Sequence, residues 1–211
     1  IPRYSQGQIS KIWTDTNRYE IWFQIEVLVC EKLYIDKKIS KKDFLQIKKK
    51  GKVDVEDIQK LDRKTHHEVI AFLNSISNKI GKSARHIHQG ITSSDIIDTA
   101  FSIQLKQSSE VLIKDITQLL KALKTKAYKY KKTICLGRTH GIHAEPTTFG
   151  LKIAGFYAEM ERNLERLKKT KDDISICVIS GAVGTYATID PSVENFVAKK
   201  LVLKPETVST Q

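Results

Sequence analysis

The chain has 211 residues, with 36 Lys and Arg against 24 Asp and Glu and a formal net charge of +12. At 40% hydrophobic and 28% charged it carries enough apolar side chains for a core and too many to be disordered. No run approaches the roughly 18 apolar residues of a membrane span, and residues 1–10 show no apolar signal segment. Cys30, Cys135 and Cys177 are an odd number without a C-x-x-C pair. That argues against a disulfide framework or a zinc site and for a reducing, cytoplasmic setting. Of the 36 bases, 29 are Lys and 7 are Arg. Phosphate and base recognition favour the planar Arg fork, so the charge reads as a solvated Lys surface rather than a nucleic-acid patch.

In chain order the pattern is helical nearly throughout. Ile21, Trp22, Ile25, Leu28, Val29 and Leu33 keep the spacing of one buried helix face, with N-caps available at Thr14 to Asn17. Ser40 caps a short helix that Gly51 ends, and Asp54 opens another. Thr65 and Glu68 form a T-x-x-E capping box before Val69, Ile70, Leu73, Ile76 and Ile80, with Gly81 at the C-terminal stop. The polar stretch 81–95 is the candidate boundary between an N-terminal helical domain, 1–92, and the first part of a helical bundle, 93–211.

From Asp95 to about Lys132 there is no Pro or Gly, and Ile96, Ala100, Leu105, Leu112, Ile116 and Leu123 hold a helical period. A helix of that length needs partners, which implies a bundle. Residues 133–150 interrupt it; Pro146 suits the first turn of a second long helix running to about Lys171. Residues 179–191 form a Gly-containing loop, and Pro191 starts a short helix.

The six histidines fall in three places: His66 and His67, His86 and His88, His140 and His143. Each lies at a helix start or in a loop beside polar residues, where an imidazole can transfer protons or meet an anion. In THHEV (65–69) a carboxylate can orient a His at a helix N-terminus. In HQGITSSD (88–95), Thr92, Ser93 and Ser94 put three hydroxyls at the mouth of the longest helix, more than one cap needs. In GRTHGIHAEP (137–146), Arg138 can clamp a carboxylate while His140 or His143 serves as acid or base. His140-x-x-His143 with Glu145 lacks the helical H-E-x-x-H frame of a metal site. SGAVGT (180–185) permits close backbone approach but is a weak signal alone.

Taken together, Arg3-Tyr4-Ser5, IWTDTNRY (12–19), THHEVIAF (65–72), HQGITSSDIIDTA (88–100), GRTHGIHAEPTTFGLK (137–152), SGAVGTYATIDP (180–191) and VSTQ (208–211) resemble the bacterial adenylosuccinate lyase family of the fumarase/aspartase superfamily. The resemblance runs from end to end in order.

It implies an all-α fold: a small N-terminal helical domain followed by the first long helices of a central bundle shared within a homotetramer. It implies cleavage of adenylosuccinate to AMP and fumarate, and of the succinylated aminoimidazole carboxamide ribotide (SAICAR) to the free carboxamide (AICAR) and fumarate. No metal or redox cofactor, nucleic acid or membrane is implied; the partners are a nucleotide substrate and further copies of the chain.

Carried over, His140 matches the general acid and His67 the second catalytic-site His. Arg3 and Tyr4 match phosphate contacts, and Thr92 and Ser93 contacts to the succinyl carboxylate. His66, His67 and Glu68 match the segment used on the nucleotide, His88 a site His, and Gln211 a substrate-binding Gln. The family commonly has a basic residue, His and Asp where this chain has His66, His67 and Glu68. The GSSxMPxKxN loop that carries the family's general-base Ser does not occur in these residues. The expectation is therefore an N-terminal portion without the C-terminal domain and inactive alone. The alternatives are another superfamily lyase, such as one acting on argininosuccinate, and a non-catalytic basic helical module binding nucleic acid through KALKTKAYKYKK (121–132).

Overall fold

The computed structural model describes residues 2–5 and 7–209. It is helical with short strand pieces: a 3-10 turn at Pro2–Tyr4, then α1 (Gly7–Ile12), α2 (Asp15–Ile35), α3 (Lys41–Lys50), α4 (Val55–Thr65), α5 (Glu68–Ile80), a 3-10 segment at Gly81–His86, α6 (Ser93–Lys129), β1 (Ile134–Thr139), β2 (Ile142–Thr148), α7 (Phe149–Asp173), β3 (Ile176–Cys177), α8 (Pro191–Leu201) and β4 (Lys204–Pro205). No helix among the described residues is long and apolar enough to cross a membrane. The chain forms two compact units, one of residues 1–107 with 174–211 and one of residues 108–173. The 37-residue α6, about 55 Å long, contributes to both.

In the first unit the helices start where side chains satisfy their unpaired N–H groups. Thr14, Ser40, Asp54 and Asp190 cap α2, α3, α4 and α8 by accepting from Asn17, Asp43, Asp57 and Ser192 N–H groups. Pro191 follows its cap directly, as the sequence suggests. The core gathers Trp22, Ile25 and Val29 of α2, Ile47, Ile58, Phe72, Ile76, Ile96, Ile179 and Val197, each buried. Tyr19, Trp22 and Phe72 pack ring against ring, with Trp22 edge-on to both at 5.2 and 5.3 Å between centroids. Each such side chain removed from water contributes roughly 1.5–3 kcal/mol. β3 pairs in parallel with β4 and brings the segment before α8 alongside the segment after it.

The second unit holds the end of α6, the β1–β2 hairpin and α7. Here the sequence expectation is corrected. Residues 134–148 form an antiparallel hairpin, and α7 starts at Phe149, so Pro146 lies in β2 opposite Leu136 and opens no helix. A two-stranded ribbon tolerates Pro where no ladder bond is demanded of its nitrogen. Gly137 sits at the register shift between Leu136 and Arg138, where an added Cβ would lie 2.9 Å from the Glu145 carbonyl oxygen. The start of α7 is tied to the turn between α6 and β1 by Phe149 N–H to Thr133 O at 2.9 Å and Gly150 N–H to Tyr130 O at 3.0 Å. Leu112, Leu119, Leu151 and Phe156 are exposed on the two helices.

Candidate functional site

At the α4–α5 junction the expected capping box does not form. Thr65 ends α4, His66 takes the left-handed conformation (φ 51°) as its C-cap, and His67 is the N-cap of α5, its Nδ1 accepting from Ile70 N–H at 3.4 Å. Both imidazoles are exposed. Glu68 is instead drawn to α2. Its carboxylate accepts from both terminal nitrogens of Arg18, one at 3.2 Å, and from the Tyr19 hydroxyl at 2.7 Å. A charged bidentate partner outcompetes a cap that water can replace. Arg18 also reaches Asp15 at 3.0 Å and lies over the Tyr19 and Trp22 rings. Arg18 and Glu68 line a cavity of about 480 Å³ with Trp13, Asp98, Phe101 and Gln104. Burial and the neighbouring Asp95 raise the Asp98 carboxyl above its usual range.

The start of α6 is tied to the Gly-containing loop by one side chain. Asp95 is fully buried. It accepts from Thr92 N–H at 2.9 Å, Ser180 N–H at 3.0 Å and Gly181 N–H at 3.1 Å. Thr92, Ser93 and Ser94 are half-buried beside it. A second buried carboxylate, Glu194, accepts from Ile179 N–H at 2.8 Å and the Tyr186 hydroxyl at 2.9 Å. The 179–186 segment is thus held from two sides, and the Thr92 backbone at the helix mouth and the backbone of SGAVGT share one buried carboxylate. The Ser180 hydroxyl within it is buried without a hydrogen-bond partner among the described residues.

His88 also sits in the first unit, in the left-handed region at φ 59°. Its backbone N–H and its Nδ1 both meet Glu26, at 2.8 and 2.7 Å. Arg3 and Tyr4 lie in the first 3-10 turn, both exposed. Gln211 lies outside the described residues.

His140 belongs to the second unit, at the tip of the hairpin. His140 and Gly141 are the two turn residues between paired Thr139 and Ile142, with φ of 52° and 77°. Two positive φ values make the type I′ turn whose twist matches the strands. The turn projects an exposed imidazole from a fixed ribbon.

The structure therefore links Thr92 to the 180–181 loop through Asp95, with Ser93 the next residue of the helix mouth, and gives Glu68 and His88 specific partners. Arg18, Glu26, Asp95 and Glu194, which make these connections, are not conspicuous in the sequence. Glu26 carries the clearest signal, a carboxylate inside the apolar stripe of α2. Asp95 carries another, an acidic residue three positions after Thr92, where an N-cap's reciprocal partner stands.

A family model described as lyase matches residues 4–210. Over all 211 residues the chain is 46% identical to adenylosuccinate lyase of Bacillus subtilis (strain 168), covering 49% of that protein. Among solved structures it resembles a fumarate lyase from Mesorhizobium sp. BNC1 (TM-score 0.89, 23% identity, 95% of this chain and 49% of that one). It also resembles the 3-carboxy-cis,cis-muconate lactonizing enzyme from Pseudomonas putida (TM-score 0.87, 21% identity, 95% and 48%). The chain spans about half the length of these relatives. With a family match along nearly its whole length, the chain belongs to the lyase family of the fumarase/aspartase superfamily.

Proposed function

We propose that the complete protein is an adenylosuccinate lyase, releasing fumarate from adenylosuccinate to leave AMP and from SAICAR to leave AICAR. The observation that carries this reading is 46% identity over the whole chain to the Bacillus subtilis enzyme of that name. The reaction is a β-elimination. A base takes the C–H proton next to a carboxylate, the C–N bond breaks, its electron pair goes to nitrogen, and an acid protonates that nitrogen.

In this reading His140 is the acid, since an imidazolium can give up a proton to a leaving amine. His67 orients the substrate, with His66 and Glu68 on the nucleotide. Thr92 and Ser93 hold the succinyl carboxylate; hydroxyls and N–H groups fixed at a helix mouth suit the charge that develops there. Arg3 and Tyr4 take the phosphate, and Gln211 and His88 complete the contacts. No metal or redox cofactor enters the scheme.

Residues 1–92 form the N-terminal domain and 93–211 open the central bundle of a cytoplasmic homotetramer whose active sites draw on several subunits. The exposed Leu112, Leu119, Leu151 and Phe156 are the kind of surface that further bundle helices cover. The base comes from sequence beyond these residues, so the 211-residue chain alone is inactive.

The test is fumarate release from adenylosuccinate by the complete enzyme. Turnover supports the reading; no turnover, with argininosuccinate cleaved instead, overturns it.

A further inference from the structure

Glu26 lies in the middle of α2 and is fully buried. A lone carboxylate in such a place is costly unless its oxygens are satisfied. Both are, and by the same residue: Oε2 accepts the His88 backbone N–H at 2.8 Å and Oε1 meets His88 Nδ1 at 2.7 Å.

His88 is itself in a conformation that L side chains rarely adopt, at φ 59°. A left-handed position with no further duty is ordinarily given to Gly or Asn. The segment around it is pinned as well. Cys30 Sγ donates to His86 O at 3.4 Å, Ile87 is buried, and Thr188 Oγ1 donates to Gly90 O at 2.8 Å. Gly90 is so close to the 188 backbone that a Cβ would lie 2.5 Å from Thr188 O. The His88 side chain remains 19% exposed. Backbone and ring are thus fixed by one carboxylate, four residues before Thr92 in the chain.

We propose that Glu26 is a positioning residue for His88. It holds the proton on Nδ1 and leaves Nε2 as the ring nitrogen that meets the substrate. Free imidazole favours the opposite tautomer, so the arrangement is selected by the buried acceptor. In the Nδ1–H form Nε2 is an acceptor, suited to a hydroxyl or amino group of the ligand. The placement follows from the structure, while its use on a substrate rests on the lyase reading above.

The experiment is long-range proton–nitrogen NMR of the 211-residue chain labelled with 15N-histidine, recorded as pH is raised until the ring nitrogen shifts are those of neutral imidazole. The expected result is His88 in the Nδ1–H form. In Glu26→Gln, one amide oxygen keeps the backbone N–H and the amide NH₂ faces Nδ1, so the proton moves to Nε2. An Nε2–H tautomer in the parent chain, or one unchanged in the variant, overturns the proposal. The parent spectrum decides even if the variant fails to fold.

In the complete enzyme, Glu26→Gln is expected to lower kcat/KM for adenylosuccinate at least tenfold, with partial recovery in Glu26→Asp. Unaltered kcat/KM in Glu26→Gln overturns the role on the substrate. If the unaltered enzyme does not cleave adenylosuccinate, it is the lyase reading that fails, and the NMR result still decides the Glu26–His88 arrangement.

Discussion

The guanidinium of Arg18 grips both carboxylate oxygens of Glu68, fifty residues further along the chain. Side-chain exposures of 31% and 36% leave the pair partly screened, so its contribution is about 1 kcal/mol rather than that of a buried bridge. Glu68→Gln is expected to lose about that much in urea unfolding. It should also lower the titration of Tyr19, whose hydroxyl is held above its usual range by burial first and by the Glu68 hydrogen bond second. Ultraviolet titration of the phenol reads the second effect. No movement of the Tyr19 titration would mean that the two groups are not in contact.

A second expectation concerns the hairpin tip. Asn is the residue most suited to the first position of a type I′ turn before Gly. His140→Asn therefore keeps the ribbon while removing the imidazole. With His140 as the acid, the complete enzyme should lose about 10²–10⁴ in turnover with an unaltered circular dichroism spectrum. Near-normal fumarate release by this variant would remove His140 from that role.

Asp95 offers a stability test. Replacing it with Asn keeps the shape but leaves one oxygen where three N–H groups converge. The expected loss is roughly 2–4 kcal/mol in urea unfolding, because buried donors are left unpaired. A loss under 0.5 kcal/mol would show that the 180–181 loop does not depend on this carboxylate.

Glu194 gives a pH dependence. Burial raises its carboxyl above the ordinary range, against the hydrogen bonds from Ile179 and Tyr186 that lower it. The folded state then holds this proton more tightly than the unfolded chain does. The stability it contributes is present below the ordinary carboxylate value and is lost as pH rises through the folded one. Glu194→Gln should remove that slope, so the parent's stability relative to the variant falls as pH rises from about 4, the ordinary carboxylate range, through the raised folded value. The measurement is urea unfolding across that interval. A relative stability that climbs instead would reverse the assignment.

The three thiols should separate by burial. Cys30 and Cys177 are buried, and burial pushes the Cys177 thiol up to about 12 and Cys30 higher still. Cys135, on the exposed hairpin, is half-buried. Iodoacetamide at pH 8 should label Cys135 first and the other two only on unfolding, as peptide mass spectrometry can follow. Equal labelling rates would contradict the packing around β3.

The helical frame was legible where local chemistry decides it. Thr14, Ser40 and Asp54 cap the helices they precede, and Asp54 does so with one oxygen while its other meets Lys79. The hairpin was hidden because Pro146 and Gly137 are helix and loop punctuation locally, and only the pairing of β1 with β2 makes them ribbon residues. Thr65 and Glu68 have the spacing of a capping box, but Arg18, distant in sequence, takes the carboxylate. The histidine and hydroxyl motifs were legible as segments. Which acids hold them, Glu26 on His88 and Asp95 on the 180–181 loop, depends on contacts across 62 and 85 positions, which no local pattern encodes.

The first unit is discontinuous, residues 1–107 closing on 174–211. During synthesis, Asp95 leaves the ribosome well before its partners at 180 and 181. At roughly 5–20 residues per second the 66 intervening residues, from 108 to 173, take on the order of several seconds. Through that interval the nascent chain carries a carboxylate destined for the interior and an α2 face still lacking α8. A nascent chain stalled before residue 174 should therefore remain protease-sensitive at the mouth of α6, and gain protection only when the loop after β3 has emerged.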